Sequence, residues 1–128
     1  MRLLRYAVSL ALAPVLTAAD PALECSDAAS QVETGACVSE MSARVEGALA
    51  IALEIARGSA AELDEVTGRK MALPALDSAQ SAWTAYRAAH CEAVGAGFGC
   101  GSGTGIAITS CQIELGRARI DELMAMAQ

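Results

Sequence analysis

The sequence predicts an all-α fold, a small antiparallel three-helix bundle stapled by disulfides. Three observations point there. Apolar residues recur at steps of three and four through long stretches, which is the pattern of a helix with one buried face. Aromatic residues make up only 3% of a chain that is 54% hydrophobic, so the core falls to Ala, Leu, Ile, Val and Met, which suit helix packing better than a sheet. All five cysteines lie beyond residue 19, in 128 residues that suit one domain and are too few for two adequate cores.

Met1 to Tyr6 carries Arg2 and Arg5, Ala7 to Leu16 is an apolar run interrupted by Pro14, and Thr17, Ala18 and Ala19 are small residues ahead of Asp20. This is the layout of a signal peptide over residues 1–19, cleaved after Ala19 to leave a helical domain over 20–128. The run falls well short of the roughly 18 apolar residues of a membrane-spanning helix. Glu24 stands directly before Cys25, where a lipid-attachment box needs a small residue, so the expected product is not a lipoprotein and has no stable membrane anchor. Its place would be the periplasm or the medium. Loss of Arg2 and Arg5 from 9 basic residues leaves 7 against 15 acidic ones, a net charge of −8 in place of −6. That acidity excludes nucleic acid, because phosphate neutralisation needs a basic face, and favours a cationic partner or none.

Ser30-Gln31-Val32-Glu33 has the form of a capping box and marks the start of the first long helix. Val38, Met41, Val45, Ala48, Ala52 and Ile55 then form its apolar stripe, and Gly58 is its expected end. The polar stretch from Gly58 to Leu73 reads as a connector. Pro74 suits the first turn of a second helix, whose stripe runs through Leu76, Ala79, Trp83, Tyr86, His90 and Val94. Glycine at every second position from Gly95 to Gly105 indicates a loop, at a cost of about 1 kcal/mol per glycine in a helix interior. Thr109-Ser110-Cys111-Gln112 offers a second cap, opening a third helix with Leu115, Ala118, Leu123 and Met126 inward.

Up-down-up packing of these helices gathers Cys37, Cys91 and Cys111 at one end of the bundle, within reach of Cys25. In an exported chain this reads as a disulfide framework with one thiol left over; spacing leaves the pairing open. A Cys37–Cys91 bridge would close a loop worth about 4 kcal/mol of chain entropy. No Cys-x-x-Cys occurs and His90 is the only histidine, so neither a metal site nor a thioredoxin-like role is expected.

Trp83 and Tyr86 fall on the second helix's stripe and are expected to fill the core. Gln80 and Arg87 fall off it. Arg87 is expected to pair with a carboxylate or hold a helix-end carbonyl, and Arg119 faces the same choice. The glycine loop lacks a Gly-x-Gly-x-x-Gly register, and Lys70, the only lysine, lies elsewhere, so it reads as a connector and not a phosphate cradle. Phe98 is its one large apolar side chain and the candidate anchor of a partner-binding loop. No catalytic residue or cofactor emerges: His90 has only Cys91 beside it, and the carboxylate pairs Asp64-Glu65 and Asp121-Glu122 point apart.

Ala79-Gln80-Ser81-Ala82-Trp83-Thr84-Ala85-Tyr86-Arg87 followed by Cys91, with Cys25, Gln31, Glu33 and Cys37 before it and Cys111, Arg119 and Leu123 after it, resembles the lysozyme inhibitor LprI-like family of bacterial envelopes. The likeness spans Cys25 to Leu123. It implies a disulfide set drawn from Cys25, Cys37, Cys91 and Cys111, with Cys100 an added thiol available for a disulfide-linked dimer or a thiol response. It also marks Gln80, Trp83, Tyr86, Arg87, Arg119 and Leu123 as the family motif. The chain departs from the family at Val45 to Leu53, where an Asp-x-x-Leu-Asn-x-x-Tyr segment is usual, and at Gly116, where Thr is common. The resemblance implies a non-enzymatic binder or inhibitor of a cationic lysozyme. Its rival is an envelope interaction or assembly module with an unrelated protein partner.

Overall fold

Ser30 and Glu33 form the capping box: the Ser30 Oγ accepts from the Glu33 amide at 3.3 Å, and the Glu33 carboxylate reaches back to the Ala29 amide at 2.8 Å. The computed structural model describes residues 20–128, and the expected signal peptide lies outside the described residues. Its elements are α1 (Pro21–Glu24), α2 (Gln31–Thr67), α3 (Ala72–Ala96) and α4 (Thr104–Met126), with no strand among the described residues. The three long helices run up, down and up, and α1 is a short addition that the sequence pattern did not announce.

Two boundaries differ from expectation. Helix α2 does not stop at Gly58 but continues to Thr67, ending at Gly68, whose φ of 67° is the left-handed conformation glycine adopts freely. The reason is tertiary: Ala56 and Ala60 carry the buried face past Gly58, and the Ser59 hydroxyl donates to the Ala127 carbonyl at 3.3 Å. Helix α4 begins at Thr104, not at the Thr109 cap. Thr109 turns its hydroxyl back to the Gly105 carbonyl at 2.9 Å. The added turn places Ile106 against the apolar cluster of α2, and Ile108 against Gly95, where a Cβ would come within 2.7 Å of the Ile108 Cδ1.

The buried faces also shift. On α2 the inward positions are Val38, Met41, Val45, Leu49, Ala52 and Ala56, while Ala48 and Ile55 are exposed. Both Ala48 and Leu49 are within about 60° of Val45 on a helix wheel, and the larger side chain takes the core. On α4 the face runs through Ile113, Gly116, Arg119 and Leu123; Ala118 and Met126 are exposed, and Leu115 is only half-buried. Helix α4 packs against each of the others and contributes to two apolar clusters, one around Val38, Met41, Val45 and Ile113, the other around Leu49, Ala52, Leu76 and Leu123. Ile120 packs against both.

Cys25 pairs with Cys37 and Cys91 with Cys111, with Cα separations of 6.0 and 5.5 Å. The first bridge ties α1 to the second turn of α2, and the second ties the end of α3 to the start of α4. All four cysteines therefore sit at one end of the bundle. Neither bridge is Cys37–Cys91, so the closed loops are shorter and each is worth about 3 kcal/mol of chain entropy. Cys100 lies exposed in the glycine loop at φ 58° and has no disulfide partner in the chain.

At the other end, Asp64 caps α3 from α2. Its carboxylate accepts from the amides of Met71, Ala72 and Leu73 at 3.0, 2.8 and 3.0 Å, the last two being donors that a helix start leaves without intrahelical partners. The Ala72 and other backbone hydrogen bonds, acting against desolvation, hold this carboxyl below its ordinary value of 3.8. A carboxyl depressed on folding stabilises the native state above its unfolded pKa, and that contribution is lost as pH falls through the folded value. Asp64→Asn is therefore expected to lower the Tm at neutral pH. Thermal unfolding across pH should show the gap from the native chain narrowing below about pH 4; a gap independent of pH would count against the ionised cap.

Candidate functional site

The motif residues of α3 and α4 meet in the interior. Arg87 reaches across from α3, its Nε and Nη2 donating to the Gln112 carbonyl at 3.0 and 2.7 Å, while Nη2 also pairs with the Glu46 carboxylate of α2. Arg119, only 6% exposed, donates from Nε to the Gln80 Oε1 at 3.0 Å and from Nη1 to the Glu122 carboxylate at 2.9 Å. Both guanidinium carbons lie over the Trp83 ring, at 5.3 and 5.8 Å. Arg119 Nη2 is buried without a hydrogen-bond partner, and the cation–π contact offsets part of that cost.

The inward face of α3 is thus Leu76, Gln80, Trp83, Arg87, Cys91 and Gly95, with Gln80 and Arg87 on the packed side and not off it. Tyr86 is the residue turned out: it is 54% exposed and stacks on the exposed His90 at 5.3 Å between ring centroids. Ala79 is exposed as well. Arg87 can cross the bundle because Gly116 has no side chain. A Cβ there would lie 2.7 Å from the Val45 Cγ1 and 3.3 Å from the Arg87 Nη2. The segment from Val45 to Leu53 keeps one polar residue facing this cluster, Glu46, and it is the one Arg87 uses.

These contacts leave the motif little surface to offer. One accessible concavity lies at the stapled end, a groove of about 520 Å³ between α1, the start of α2, the end of α3 and the first turns of α4. Val94, Phe98, Ile106, Ala107 and Leu115 give it apolar walls, and Asp20, His90, Ser110 and Glu114 its polar points. Phe98 is 59% exposed, so the glycine loop presents its one aromatic ring at the groove. Asp20 caps α1, accepting from the Ala22 amide at 2.9 Å. Partial desolvation, then the neighbouring Asp20, raise the Glu114 carboxyl above its ordinary value, with Arg117 opposing. Arg117 itself is committed elsewhere, donating to both Glu24 carboxylate oxygens at 2.6 and 3.1 Å and to the Met41 Sδ at 3.2 Å, which docks α1 on the bundle and holds the Glu24 carboxyl below the usual range. Sequence reasoning singled out Phe98 but not Asp20, Ser110 or Glu114, because only the fold brings residues 20, 110 and 114 together.

Among the described residues no three His, Cys, Asp or Glu side chains gather as a metal site, and no helix is long and apolar enough to cross a membrane. The family described as Lysozyme inhibitor LprI matches this chain over residues 25–123, which includes both disulfides, the Trp83 cluster and most of the groove. No curated protein and no solved structure matches it.

The two halves of the motif are expected to differ in their cost to stability. Arg119→Ala removes a buried side chain and leaves the Gln80 Oε1 without its donor, and should destabilise by about 2–4 kcal/mol in urea unfolding. Tyr86→Ala should stay within about 0.5 kcal/mol of the native chain. A larger loss for Tyr86→Ala than for Arg119→Ala would overturn this division.

Proposed function

The chain belongs to the lysozyme inhibitor LprI family, and on that premise we propose that it is an exported protein that binds a cationic lysozyme and slows cell-wall cleavage without chemistry of its own. The observation that carries the reading is the family match over residues 25–123. The charge agrees with it. Export would remove residues 1–19 and leave a net charge of −8, and opposite charge raises the rate of encounter by steering. Four paired cysteines agree with an oxidising compartment, the periplasm or the medium.

Charge alone would make any acidic protein a weak binder, and at 0.15 M salt, with a Debye length of about 8 Å, most of that attraction is screened. A specific inhibitor must rely on a shaped surface, which here depends on the stapled end. Lysis of bacterial cell walls should therefore be slowed at micromolar protein in physiological salt, and an acidic control protein of similar size should have no such effect. Reduction of the two disulfides should abolish the inhibition. Equal inhibition by the control, or no lysozyme slowed, would return the protein to the rival reading of an envelope assembly module.

A further inference from the structure

Just beneath the surface of the groove at the stapled end lies a hydrogen-bonding group that the fold does not use. Ser110 lines it and is only 8% exposed, yet its Oγ has no partner, although a helical serine ordinarily turns back to the carbonyl four residues earlier, as Thr109 does beside it. Two carboxylates, Asp20 and Glu114, stand at the same groove, and neither forms an ion pair among the described residues. The same groove has apolar walls, with Phe98 and Val94 from the end of α3 and the loop after it and Ile106 from α4.

An occupant that satisfies all of these at once has an apolar stem, a cationic head and donors for oxygen acceptors. We propose that the groove receives a basic side chain, arginine or lysine, from the protein partner, its stem lying along Val94, Phe98 and Ile106 and its charge meeting Glu114. This deepens the lysozyme-binding reading, on which the identity of the partner rests. A basic side chain buries its methylenes readily while keeping its charge at a polar rim, and a guanidinium also stacks on an aromatic ring. The volume lies within the range of clefts that enclose small ligands. The Asp20 carboxylate, already capping α1, lends its charge to the rim without leaving its amide.

The test uses a probe independent of any lysozyme. Blocked arginine is titrated into the disulfide-intact chain 20–128 at 0.15 M salt and followed by amide NMR, with blocked citrulline as its neutral isostere. Shifts should cluster at residues 90–98 and 106–115, and blocked citrulline should bind about tenfold more weakly. Glu114→Gln should lose about tenfold for blocked arginine, whereas Glu62→Gln, the same charge change at an exposed site late in α2, should lose none. The same pair of variants is then compared in the lysis assay, where Glu114→Gln alone should raise the inhibitory concentration about tenfold. Binding of the probe in the groove with no lysozyme inhibited would leave this site standing and remove the lysozyme reading. Shifts away from the groove, equal binding of citrulline, or full inhibition by Glu114→Gln would overturn the site. Absence of probe binding would overturn it too, including the case in which the new α-ammonium group on Asp20 already satisfies Glu114.

Discussion

Two guanidinium groups in the interface between α3 and α4 set the terms for the rest of the bundle. Arg87 and Arg119 arrive from opposite helices and both lie over Trp83, the one aromatic ring among the described residues that is not exposed. Each brings charge into a region of low polarity, which is costly unless its donors are met. The neighbours give partners to Nε and one terminal nitrogen of each: a main-chain carbonyl at Gln112, the Gln80 amide oxygen, and carboxylates at Glu46 and Glu122. The consequence is specificity of register. Sliding α4 by one residue along α3 would separate Gln112, Gly116 and Arg119 from Arg87 and Gln80 together.

This lock explains why α4, with no aromatic side chain of its own, serves as the shared partner of every other helix. Gly116 gives Arg87 its passage, and Ile113, Ile120 and Leu123 fill the space to either side. The two disulfides act on a different scale. Each joins neighbours in the chain, α1 to α2 and α3 to α4, and neither ties α2 to α3 or α4. Packing, the Arg87–Glu46 pair and the Arg57–Asp77 pair perform that task. The staples shape one end, where the groove lies, while the guanidinium lock holds the middle.

Much of the architecture was legible in residue spacing, and the errors have physical causes. The capping box at Ser30, the helix carrying Trp83 and the gathering of cysteines at one end follow from local chemistry and from helix direction alone. Tyr86 and Arg87 exchanged roles because steps of three and four from Trp83 are equally periodic. An aromatic ring is the usual choice for a core, and the glycine that admits Arg87 lies 29 residues away. Gly58 misled because a single glycine costs a helix only about 1 kcal/mol, which the packing of Ala60 and the Ser59 hydrogen bond beyond it offset. The Asp64 cap and the Asp20, Ser110 and Glu114 positions in the groove are juxtapositions across elements, which no local pattern encodes.

A division of labour follows, in which the buried motif residues hold the bundle and the stapled end is the proposed surface for the partner. Amide hydrogen exchange with and without a saturating cationic lysozyme tests that division most directly. Slowed exchange confined to residues 20–34 and 90–115, with the turn at 68–71 and the outer face of α2 around Ile51 and Ile55 unchanged, is the expected result. Protection appearing at that turn or on that outer face, with the stapled end unaltered, would contradict it.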